Sequence, residues 1–151
     1  MTPKQITSYL TKLETKLCSK TIMQRIVLTR DWTKQFPSSA GVYLIRESGI
    51  ICYVGETGSI RERMRDLMNT QNHVIRRSIG NSKYKDYEGF EKATSRTRFV
   101  PEIETNLKKW IEDKLEISTL VVPFGRKEFE EHLYDKYKPK YNNKGKRTSK
   151  Y

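Results

Sequence analysis

Cysteine is scarce in this chain. Only Cys18 and Cys52 occur among its 151 residues. No metal-binding spacing can be assembled from them with His73 and His132, which argues against a structural Cys/His metal site. Both are expected to be free thiols, at least partly buried. Long hydrophobic runs are also missing: no stretch approaches the roughly 18 consecutive apolar residues of a membrane span. The first residues, MTPKQITSYLTKLETKLCSK, lack the apolar core of a signal peptide. The expectation is a cytoplasmic protein without membrane contact. Acidic residues are few beside basic ones, 18 Asp and Glu against 30 Lys and Arg, for a formal charge of +12 and a pI near 9.7. Such a surface attracts polyanions, and nucleic acid is the partner that fits best. The length suits a single hydrophobic core, with room for a short appended element.

Along the chain, Ile6, Tyr9, Leu10, Leu13 and Leu17 recur at helical spacing and predict an amphipathic helix over 4–18. Residues 20–36 fit a helix, or a helix and a strand. Pro37, Ser38, Ser39 and Gly41 mark a break. The β-branched and aromatic runs Gly41 to Arg46 and Ile50 to Gly55 then flank Glu47-Ser48-Gly49, which suits a three-residue hairpin loop with Gly49 left-handed. In that register Tyr43 stands directly opposite Tyr53. Both tyrosines share one face with Ile45 and Ile51, while Val42, Leu44, Cys52 and Val54 take the other.

Ser59 and Glu62 form a capping-box signature, and Ile60, Met64, Leu67 and Met68 supply the apolar stripe of the helix that it opens. Arg61 and Arg63 lie on opposite flanks of that stripe, with Glu62, Arg65 and Asp66 pointing more to solvent. Residues 70–100 are polar and basic, read as a short helix and a long loop. Pro101 suits a first helical position, followed by Ile103, Leu107, Trp110, Ile111 and Leu115. Ile117 to Val122 reads as a buried strand, and Phe129, Leu133 and Tyr137 as a helical stripe ending before Pro139. The order implies a small α+β domain: a three-stranded, largely antiparallel sheet flanked by helices, with an extra N-terminal helical segment. Residues 1–39 form that extension, 40–142 the main domain with a basic insertion at 70–100, and 143–151 a basic tail.

Singly, each polar residue has an ordinary reading: tyrosines pair across strands for packing, and arginines flank helices in solvent. Their combination resembles the GIY-YIG nuclease superfamily. Its two tripeptides appear as Gly41-Val42-Tyr43 and Tyr53-Val54-Gly55, ten residues from tyrosine to tyrosine. The nearest pattern is the amino-terminal nuclease domain of the incision subunit in bacterial nucleotide excision repair. There the catalytic arginine follows the second tyrosine by ten positions, which selects Arg63 over Arg61. The metal-binding glutamate precedes a Pro-x-Tyr-Asn ending by nine, which selects Glu130 ahead of Pro139-Lys140-Tyr141-Asn142. The helical wheel separately favours Glu130 over Glu131, since Glu130 flanks the Phe129, Leu133, Tyr137 face and Glu131 points nearly opposite. One departure stands out: the position after Tyr53-Val54-Gly55, often lysine in the repair domain, is Glu56.

The resemblance implies a metal-dependent DNA endonuclease with Mg²⁺ or Mn²⁺ as cofactor. Tyr43, Tyr53, Arg63 and Glu130 would be catalytic and Glu130 the metal ligand. Tyr43 takes the general-base role, Tyr53 a supporting hydrogen bond, Arg63 the phosphate, and Asn142 steadies the site or contacts the backbone. Arg61, His73, Arg76 and Arg77, with the Lys140 to Lys150 tail, are candidate contacts to the DNA backbone. A catalytically silent DNA-binding module and an RNA-acting protein remain as alternatives. Oligomeric state and specificity are not fixed by the sequence.

Overall fold

A computed structural model describes residues 1–142; the expected basic tail at 143–151 lies outside them. The hairpin comes first because it carries the tripeptides. Strand β2 (Gly41–Glu47) turns into β3 (Ile50–Thr57) through Ser48 and Gly49 alone, at φ 52° and 81°. Two left-handed residues in succession make the tight turn whose twist matches that of paired strands. The loop is therefore two residues long, not three. Glu47 pairs with Ile50 and Arg46 with Ile51, but Ile45 then pairs with Tyr53 and Tyr43 with Gly55, because a bulge opens at Cys52.

That bulge corrects the expected faces. Inserting one residue moves everything beyond it by one place on the partner strand. The shorter turn supplies one more place, so Tyr43 lies opposite Gly55 rather than Tyr53. Cys52 joins the tyrosines and Ile45 on one core, while Ile51 packs with Val42, Leu44 and Val54 on the other. The two tyrosines still share a face, as expected.

The sheet has four strands, not three, in the order β1-β4-β2-β3 and antiparallel throughout. The added strand, β1 (Gln24–Arg25), comes from the ambiguous stretch and pairs with the start of β4 (Leu115–Val121). It is two residues long, too short to leave an alternating pattern in the sequence.

Helices cover both faces. Behind Val42, Leu44 and Val54 lie α1 (Pro3–Leu17), which contributes Leu13 and Leu17, and α6 (Arg126–Tyr137), which contributes Phe129, Leu133 and Tyr134. On the tyrosine face sit α2 (Arg30–Thr33), α3 (Ile60–Asp66), α4 (Val74–Lys83) and α5 (Pro101–Lys114). Capping fixes where several begin: Thr2 and Gln5 form a reciprocal box at α1, and the Ser59 hydroxyl accepts the Glu62 N–H at α3. Pro101 opens α5 as expected. The basic stretch at 70–100 yields α4 and then a loop that is packed down: Ala93 and Phe99 are buried, and the Asn81 amide bonds both backbone groups of Ala93. Cys18 and Cys52 are free, with Cys52 buried, and burial pushes its thiol up to about 12. Among the described residues no helix is long and apolar enough to cross a membrane.

Candidate active site

Tyr43 projects from β2 and Tyr53 from β3, with ring centroids 5.9 Å apart and planes tilted by 31°. The bulge makes this possible. With Gly55 opposite, Tyr43 folds its phenol over the partner strand, and a methyl group on Gly55 would stand 2.5 Å from Cζ and 2.6 Å from the hydroxyl oxygen. The glycine ending the second tripeptide is thus the floor on which Tyr43 lies. Gly41 is held for a different reason: a Cβ there would meet the Leu120 carbonyl at 2.3 Å and the Ile60 side chain at 2.6 Å.

Two donors converge on the Tyr43 hydroxyl. Arg63, from α3, reaches it through Nε at 3.2 Å, and the same guanidinium uses Nη1 for Asp66 and the Asn72 carbonyl, both at 3.0 Å. His73, the N-cap of α4, lies 2.7 Å away through Nε2, while its Nδ1 accepts the Ile75 N–H at 3.1 Å. With Nδ1 spent as an acceptor, a neutral ring carries its proton on Nε2 and donates it to Tyr43. Burial drives the His73 imidazole well below its ordinary range, and the charges of Arg63, Arg77 and Arg76 push it in the same direction. The ring is neutral.

Electrostatics distinguish the two phenols. Tyr43 is fully enclosed, and burial raises its pKa well above 10, only partly offset by Arg63. Tyr53 is also raised, first by burial, and the Arg63 charge and a hydrogen bond with Tyr43 pull against that. Among its neighbours is Glu130, whose negative charge raises it further. Glu130 belongs to α6, which packs on the opposite face of the sheet, and Tyr53 to β3, an edge strand. For Arg63, burial lowers the pKa, but Tyr43, Tyr53 and Asp66 outweigh it and hold the guanidinium above its usual value.

The other candidates are placed differently from one another. Arg77 joins the site: its Nη1 donates to the Thr70 and Gln71 carbonyls, and both Arg63 and Tyr53 act on its charge. Arg76 faces inward at 4 % exposure, spending its guanidinium on Thr70, the Leu67 carbonyl and a 2.9 Å ion pair with Glu104. Arg61, across the helix from Arg63, fastens α3 to the preceding loop through the Phe36 and Lys34 carbonyls. Asn142 steadies the strand that carries Tyr53: its amide accepts the Val54 N–H at 3.0 Å and donates to the Val54 carbonyl at 2.8 Å. Sequence reasoning offered His73 as a contact to the DNA backbone, whereas the structure buries it completely against Tyr43. The signal that it belongs inside was the pair Val74-Ile75 immediately after it, since a histidine before an apolar run can cap a helix.

No group of three or more His, Cys, Asp or Glu side chains suited to a metal ion occurs among the described residues. A single carboxylate completed by waters, as expected of Glu130, is a donor set that fits a hard dication keeping most of its water shell.

No family model and no curated protein matches this chain. Among solved structures, it is similar to the GIY-YIG N-terminal endonuclease domain of UvrC from Thermotoga maritima. The magnesium-bound form shares 20 % identity over 83 % of this chain and 99 % of that one, with a TM-score of 0.44. A point mutant bound to its catalytic divalent cation gives 20 % and 0.45 over the same shares. This chain resembles a GIY-YIG domain.

Proposed function

We propose that this protein is a metal-dependent DNA endonuclease that hydrolyses phosphodiester bonds. The observation that carries the reading is the convergence of Arg63 and His73 on the buried Tyr43 hydroxyl, with the neighbouring Tyr53 feeling the charges of both Arg63 and Glu130. Hydrolysis of a phosphodiester needs a positioned water, a donor for the phosphate oxygens and help for the leaving oxygen. Arg63 is suited to the phosphate: two of its nitrogens are already fixed by Tyr43, Asp66 and the Asn72 carbonyl, so the planar fork loses little freedom on binding. Arg77 adds a second cation.

The geometry favours Tyr53, rather than Tyr43, as the residue that meets the attacking water. Tyr43 is fully enclosed with two donors on its oxygen, whereas Tyr53 is 6 % exposed and feels Glu130. Tyr53 orients the water, and would accept its proton once a cation held by Glu130 offsets the burial that keeps the phenol protonated in the free protein; Tyr43 anchors Arg63 and, by hydrogen bonding, works against that burial. His73 holds Tyr43 as a positioning residue. Glu130 would hold a divalent cation, which when bound supplies positive charge to the phosphate and its leaving oxygen.

Supercoiled plasmid incubated with Mg²⁺, Mn²⁺ or EDTA tests this. Nicked or linear product with metal and none with EDTA is expected. Binding without cutting of plasmid, branched or single-stranded DNA under any metal would replace this reading with a silent binding module, and preferential cleavage of RNA with an RNA-acting enzyme.

A further inference from the structure

Glu56 follows Tyr53-Val54-Gly55 and would set a negative charge beside a phosphate path. The structure pairs it with Arg126, in the first turn of α6, through a 2.6 Å contact from Nε to Oε2. Both side chains are partly exposed, 36 % for Arg126 and 25 % for Glu56. Arg126 stands four residues before Glu130 on the same helix, and residues so spaced share a face about one turn apart. Gly58 lies beside the guanidinium: a Cβ there would only just touch the Arg126 Nη2 atom, at 4.0 Å. A fixed, accessible guanidinium one turn from the metal-binding carboxylate is placed to take a phosphate next to the one being cut.

We propose that Arg126 is a DNA phosphate-binding residue that aligns the strand past Glu130, and that Glu56 holds Arg126 in place in the free protein and competes with phosphate for it. This rests on the endonuclease reading. Arg126 engages phosphate through the nitrogens that Glu56 does not use, or by exchanging the carboxylate for the phosphate. Lys127, the exposed next residue on α6, shares the bulk charge but not this position.

The test measures DNA affinity against salt in a Glu130→Gln background, where binding is read apart from cutting, with thermal melting to confirm folding. Arg126→Ala is expected to raise Kd about tenfold and to lessen the slope of log K against log salt by about 0.9, one phosphate contact. Arg126→Lys should fall between. Lys127→Ala should change Kd about twofold, and Glu56→Gln should tighten binding by about threefold, since a competing charge is gone. An Arg126→Ala effect no larger than that of Lys127→Ala, or weaker binding by Glu56→Gln, overturns the proposal while leaving the nuclease reading standing. Absence of any DNA binding overturns both.

Discussion

Two clusters of polar side chains lie on opposite faces of the same sheet, and they are built to opposite ends. Between α1 and α6, Glu14 accepts His132, Lys136 and Tyr137 at 2.8, 2.6 and 2.5 Å. Burial pushes its carboxyl up, but those hydrogen bonds outweigh burial and hold it down to about 2. That cluster brings its acid and its donors together. On the tyrosine face, Arg63, Arg76 and Arg77 surround a neutral His73 and two phenols that burial keeps protonated. Arg63 and Arg76 are paired with Asp66 and Glu104, but Arg77 donates to backbone carbonyls, which leaves positive charge around groups held neutral. The first arrangement stabilises a fold; the second holds potential ready for an anion.

Substitutions should separate the two clusters. The largest expected effect is Arg63→Ala, which should lower cleavage by about 10²- to 10³-fold while costing only about 1 kcal/mol of stability, because relief of the like charges nearby partly offsets the lost bonds to Tyr43, Asp66 and Asn72. Glu14→Gln should do the reverse: a loss of about 2 kcal/mol, read as a Tm lower by roughly 4 to 8 °C, with the cleavage rate per folded molecule unchanged. Gly55→Ala strikes the site through packing. It should displace Tyr43 and cost about 1 to 3 kcal/mol, with cleavage falling further than stability accounts for.

Acid titration sharpens the contrast most finely. His73 has a folded pKa well below its ordinary 6.5, so the unfolded chain takes up the proton first. Its contribution to stability is complete above pH 6.5 and fades as pH falls below it. Glu14 is also depressed, from 4.5 to about 2, so its contribution is complete above 4.5 and is lost on the way down to about 2. Stability curves for His73→Gln should flatten in the upper window and those for Glu14→Gln in the lower. Flattening of neither would break the comparison.

Much of this was legible in the sequence because it depends on periodicity. Ser59 and Glu62 set the start of α3, Pro101 that of α5, and the stripe through Phe129 and Leu133 set α6 with Glu130 on its flank. The register of the hairpin was not legible. Ser48 and Gly49 suffice for a turn, and nothing local distinguishes Cys52 as a bulge; only packing of both faces decides that. The same holds for β1, whose two residues join the sheet because β4 offers an edge, and for His73, whose burial depends on Tyr43, thirty residues away. Arg76 and Arg77 are adjacent and alike in sequence, yet one pairs inside with Glu104 and the other stands by Arg63, a difference set by Thr70, Gln71 and α5. Spacing led to Tyr43, Tyr53 and Arg63, which the fold brings together; roles that depend on contacts between distant elements were not legible.

The central claim is that Glu130, with Arg63 and the two tyrosines, forms a site that cuts DNA. The most direct measurement compares metal-dependent nicking of supercoiled plasmid by Glu130→Ala and Glu131→Ala proteins of equal thermal stability. Nicking that is lost with Glu130→Ala, by about 10²-fold or more, and kept with Glu131→Ala is the predicted result. Equal activity in the two variants would contradict the account.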